Sequence, residues 1–129
     1  EFSGVLFRSW IAADSNQFDE VVGVAAITDL AGYAAGQGSC QQAAKQLMGP
    51  EAQEADYKAV SPAELQYPDV KVTLLAGSSD NIVGRDQVSA FERKHPAADI
   101  KILEQAGHFD FIHPDTRAAQ VLMNTLAHD

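Results

Sequence analysis

Two residues in this chain have the type and placement for proton chemistry. Asp80 lies in the run VKVTLLAGSSDNIV that begins at Val70, and His108 lies in the run ADIKILEQAGHFDF that ends at Phe111. Each follows an apolar, strand-like stretch by a short glycine-containing loop. Parallel strands of an open α/β sheet end in loops that line one crevice, so the two residues are expected on the same sheet edge. A carboxylate bonded to one ring nitrogen of a histidine fixes the tautomer and stabilises the imidazolium, which is two thirds of a hydrolytic triad. The missing third is a nucleophile.

Other roles compete for the same residues. Ser-Ser-Asp-Asn is good turn composition, so Asp80 also suits a purely local role, and His108 could be an ordinary loop histidine. His108, Asp110 and His113 spell HxDxxH, a string that could bind a metal but has no standard metal spacing, so a metal-binding module is a third and weaker reading, and no metal or cofactor is expected. Phe109 and Phe111 are expected in the core. Asp29 reads as a cap, Ser3 and Ser9 as helix-surface or cap serines, and Cys40, with no histidine near it in sequence, as inert.

The elements that must position Asp80 and His108 follow from periodicity. Ser3 to Ala13 has helical spacing of its apolar residues, and Val21 to Ile27 (VVGVAAI) is the unbroken apolar run of a strand covered on both faces. Gln41 to Met48 reads as a helix stopped by Gly49-Pro50, and Glu51 to Tyr57 as a short helical turn. Ser61-Pro62 and Tyr67-Pro68 hold the chain extended before a second strand at Val70 to Ala76. Asp86 is the expected N-cap of a helix that ends before Pro96, with Val88, Ala90 and Phe91 inward. Ile100 to Leu103 is the third strand. Pro114 and Asp115 are expected to open a last helix whose inner face is Ala118, Val121, Leu122 and Leu126. Three βα units in succession imply an α/β fold, a three-stranded parallel sheet with flanking helices.

Bulk properties remove several classes. Nine basic against eighteen acidic side chains give a net charge of −9, which repels phosphate backbones, so nucleic acid is not an expected partner. No run approaches the roughly 18 apolar residues of a membrane helix, and no membrane partner is expected. A single cysteine precludes an internal disulfide and fits a reducing compartment such as the cytoplasm. The opening EFSGVLFRSW has neither initiator Met nor signal-peptide features, so the compartment is not legible from it.

The strings VVGVAAITDL, Ser61-Pro62, GSSDNIV and AGHFDFIHP together resemble the C-terminal half of α/β-hydrolases of the esterase and lipase type, including small carboxylesterases related to carbohydrate-ester and feruloyl esterases. The resemblance covers most of the chain and rests on GxxDxxV followed by GHF. It implies that Asp80 is the triad acid, that His108 is the general base, and that the substrate of the intact enzyme is a small-molecule ester. Family members often carry His-Gly and a proline around the acid loop, where this chain has Ala76-Gly77 and Gly84. The family's GxSxG nucleophile elbow is not found. Aligning the first helix with the one that follows the elbow puts Ser3-Gly4 on the elbow's last two positions and Phe2 where the serine belongs. Residues 1–129 are therefore expected to form one partial domain that keeps the acid and histidine and has little activity alone.

A reading from a different class is a non-catalytic domain that associates with itself. With no strand before it, Val21 to Ile27 would be an apolar sheet edge, and such edges pair with another chain. A homodimer or larger homo-oligomer is the expected outcome.

Overall fold

A computed structural model of the protein describes residues 18–127 together with Ala13, which is helical. The rest of the expected first helix, and the proposed elbow positions at Phe2, Ser3 and Gly4, lie outside the described residues. Among the described residues the strands are β1 (Glu20–Val24), β2 (Lys71–Gly77) and β3 (Asp99–Leu103). They pair in parallel in the order β1-β2-β3. Five helices lie between and after them: α1 (Leu30–Ala34), α2 (Ser39–Met48), α3 (Glu54–Val60), α4 (Arg85–Lys94) and α5 (Arg117–Leu126).

β2 is the central strand, and all of its residues after Lys71 are buried. An apolar run without alternation is what a strand covered on both faces requires. Val72 and Leu74 face Phe91 of α4 and Ile100, whereas Leu75 faces Phe111 and Ala118, with Val22, Val24, Leu103, Val121 and Leu122 around them. Helices thus close both sides, α4 on one and α5 on the other. Phe91 is among the most buried side chains, worth about 2–3 kcal/mol of apolar burial. It also packs against Tyr67 and His95. The Tyr67 hydroxyl donates to Pro62 O at 3.0 Å, and burial pushes its pKa up to about 12.

Several boundaries depart from expectation for local reasons. β1 stops at Val24, not Ile27, because Ala25 turns to φ 45°, and its residues are half-buried rather than fully covered. α1, unanticipated in its Gly- and Ala-rich stretch, is nucleated by Asp29, whose Oδ1 accepts from Gly32 N at 3.1 Å. α2 ends as expected at Gly49, which adopts φ 86°. Gly84, not Asp86, caps α4, leaving Asp86 in the first turn. Thr116, not Pro114-Asp115, caps α5: its Oγ1 accepts from Ala119 N at 3.1 Å. Leu126, expected inward, is exposed.

Candidate active site

Asp80 sits just past the carboxyl end of β2, in a turn its own side chain builds. Oδ1 accepts from Ile82 N and Val83 N, both at 2.8 Å. Oδ2 is left to accept from Nδ1 of His108, also at 2.8 Å. Turn-former and histidine partner are therefore two oxygens of one residue. The Asp80 side chain is 1% exposed and that of His108 is 24% exposed. A buried carboxylate can only accept, so the ring proton resides on Nδ1 and Nε2 carries the free lone pair. Such a ring can take a proton from a hydroxyl and pass it to a departing atom.

The acid loop is held from below and from the side. Tyr33 of α1 donates its hydroxyl to Ile82 O at 3.0 Å, while Val83 joins Leu30, Tyr33, Ala34 and Ala44 in one apolar cluster. Burial, then the nearby Cys40 and Asp80, raises the Tyr33 pKa, so the phenol stays a donor. Behind it, Gln87 accepts from Thr28 N at 3.0 Å and Asp29 N at 2.9 Å, tying α4 to the loop that enters α1.

The histidine loop is stitched directly to the acid loop. Ser78 N donates to Leu103 O at 2.9 Å, Ser79 N to Ala106 O at 3.0 Å, and Gln105 N to Ser78 Oγ at 2.8 Å. This close approach needs Gly77, since a Cβ there would collide with the carbonyl oxygen of Ala106. Downstream, Gly107 N donates to Asp110 Oδ2 at 2.8 Å, and Thr116 Oγ1 donates to the carbonyl of Asp110. Phe111, 2% exposed, pins the loop to the core beside Ala106 and Ala118.

Of the residues expected to matter, the structure brings Asp80 and His108 together and places the others apart. Asp110 is engaged by its own loop, and no group of three or more metal-ligating side chains converges among the described residues. Phe111 is core as expected, but Phe109 is not: it is 63% exposed, and its ring stands edge-to-face against His108, with centroids 4.9 Å apart. Tyr33 and Gln87 were not anticipated, and Gly77 was anticipated only as part of the acid loop, not as the point of close approach. Their signal lies in contacts between segments distant in sequence, which spacing does not carry.

A parallel sheet whose strand-end loops present a hydrogen-bonded acid and histidine belongs to an α/β-hydrolase-type fold. The C-terminal likeness noted in the sequence agrees with it. Neither a protein-family model nor a curated protein matches the chain. Solved structures do. An acylaminoacyl peptidase in complex with Z-Gly-Gly-Phe-chloromethyl ketone is similar over 98% of this chain and 22% of its own, at 14% identity and a TM-score of 0.75. A puromycin-hydrolyzing peptidase of Mycobacterium tuberculosis is similar over 95% and 19%, at 19% identity and a TM-score of 0.68. An acetyl ester-xyloside bifunctional hydrolase from Caldicellulosiruptor lactoaceticus is similar over 95% and 51%, at 13% identity and a TM-score of 0.71. The chain thus spans roughly a fifth of the length of the two peptidases and half that of the third protein. At these identities the shared property is the fold. Peptidases as well as an ester hydrolase share it, so the likeness is broader than the esterases and lipases of the sequence comparison.

Proposed function

We propose that Asp80 and His108 are the acid and general base of a hydrolytic triad acting on carboxylic acyl bonds, esters first and amides alongside them. One observation carries this reading: the 2.8 Å bond from Nδ1 to a buried carboxylate, with the imidazole itself partly open to solvent. In the first half of the reaction a nucleophilic hydroxyl, supplied from outside the described residues, loses its proton to Nε2 as it attacks the acyl carbon. The imidazolium, held by Asp80, then returns that proton to the departing oxygen or nitrogen. Water repeats the cycle to release the acid. The ester preference follows the sequence likeness, and the peptidase names among the structural relatives argue for including amides.

The test is hydrolysis of p-nitrophenyl acetate and of an acyl p-nitroanilide by the natural full-length protein. His108→Ala should lower kcat by roughly 10⁴- to 10⁶-fold with the fold retained. An unchanged kcat/KM on both substrates would sink the proposal.

One observation favours a second reading as well. Among the described residues β1 pairs on one side only, and Val21, Val22 and Val24 are only partly buried. We propose that this edge pairs with another chain, a second copy included, since an unpaired apolar edge offers both hydrogen bonds and side chains. Light scattering of the purified chain should then give a mass of at least twice 13.8 kDa. A monomer at high concentration contradicts self-association.

A further inference from the structure

Phe109 and Ile112 are 63% and 75% exposed, and they flank the turn that directly follows His108. That turn is a 3-10 helix, Asp110–Ile112, with Phe109 at its N-cap, and Ile112 N donates to Phe109 O at 3.1 Å. In this geometry residues three apart eclipse one another, so the two apolar side chains stand on the same face. Phe111 between them points into the core and Asp110 binds Gly107 N. Anchoring the turn by Phe111 is what turns Phe109 and Ile112 outward. The Phe109 ring is perpendicular to the imidazole within 2° and lies 4.9 Å from it, centroid to centroid.

From this placement we infer that Phe109 and Ile112 form an apolar subsite for the leaving group, so that the departing alcohol or amine carries an aromatic or branched aliphatic substituent. The inference rests on the proposed role of His108. If Nε2 protonates the departing atom, that atom lies within hydrogen-bond reach of the ring. Its substituent is then the part of the substrate nearest to whatever lines the ring. The acyl substituent is one tetrahedral centre further away. Phe109 lines the ring, and Ile112 extends the same apolar face.

Alkylation of the chain itself reads this out. Iodoacetamide and N-benzyl iodoacetamide share a reacting carbon and differ by one phenyl-bearing group. In each case Nε2 displaces iodide, a C–N bond replaces the C–I bond, and the ring proton on the other nitrogen is lost to solvent. Peptide mass spectrometry follows His108, with the exposed His113 as the internal reference and Cys40 blocked beforehand. The benzyl reagent should be favoured at His108 over His113 by about tenfold, the discrimination an aromatic contact supplies. Phe109→Ala and Ile112→Ser should each reduce that preference and Phe109→Trp should keep it, the readout being the ratio of the two reagents' rates at His108, in which any change in the imidazole's own reactivity cancels. A preference equal at both histidines, or one that survives Phe109→Ala, overturns the subsite and leaves the acid–base pair standing. If His108 reacts with neither reagent while His113 reacts with both, the acid–base reading falls and the subsite falls with it.

Discussion

Asp80→Asn should leave the chain folded while removing the form of His108 that accepts a proton. The amide oxygen of asparagine can still accept from Ile82 N and Val83 N, as Asp80 Oδ1 does now. Its NH₂ group then faces His108 Nδ1, where the carboxylate oxygen had accepted. Two donors cannot share that position, so Nδ1 becomes the acceptor and the ring proton moves to Nε2. The lone pair needed for the proposed proton transfer is lost without loss of the turn. If the pair acts as proposed, kcat of the protein in its natural length should drop by about 10⁴-fold, the effect expected of a wrong tautomer. In the chain alone, iodoacetamide modification of His108 at Nε2 should slow at least about tenfold, with ¹⁵N spectra showing the Nε2–H tautomer. Asp80→Ala is the contrasting variant: it strips the acceptor from two backbone amides as well, and should cost about 3 kcal/mol in urea unfolding. Equal stabilities for the two variants, with unchanged His108 reactivity in Asp80→Asn, would show that the residue acts only as a turn-former.

The order of the three strands was legible in the sequence because each is a short apolar or β-branched run between turn residues, whereas α1 was not. The run VKVTLLA ahead of the Asp80 loop reads as a strand and is one, whereas the unbroken apolar run at Val21 to Ile27, which reads as covered on both faces, is only partly buried. Glycine and proline likewise marked the end of α2 and the approach to β2. Boundaries were less legible where side chains compete for the same backbone amides. Thr116 and Asp115 could each begin α5, and only the position of Ala119 N decides between them. Asp80 and His108 were found because both sit at strand ends, which makes proximity a consequence of topology rather than of distance along the chain. Phe109 could not be separated from Phe111 by type. What separates them is the 3-10 turn, which sends neighbouring residues in different directions and buries only the second. Gln87 was invisible for a related reason: glutamine in an amphipathic helix reads as solvated surface, and here its partners lie 58 and 59 residues away.

That buried glutamine gives the second large expected effect. Gln87 is 1% exposed, and its Oε1 is the acceptor for both Thr28 N and Asp29 N. Leucine nearly matches its volume but accepts nothing, so Gln87→Leu leaves two amides without partners where water cannot easily replace the lost acceptor. Each such donor costs about 1–3 kcal/mol, and the added apolar surface offsets part of it, so a net loss of about 3 kcal/mol is expected. The Thr28 hydroxyl still donates to the Gln87 carbonyl, which keeps the loop in place and argues for weakened stability rather than a rearranged fold. Urea unfolding should show a lower midpoint with the same slope. Hydrogen exchange should accelerate at Thr28 and Asp29 but not at Ile82 and Val83, whose amides are held by Asp80. A loss below about 1 kcal/mol would mean that the loop relaxes to water and that Gln87 is not its tie to α4. Faster exchange at Ile82 and Val83 as well would mean that the tie extends through Tyr33 to the acid loop, and so to the orientation of His108.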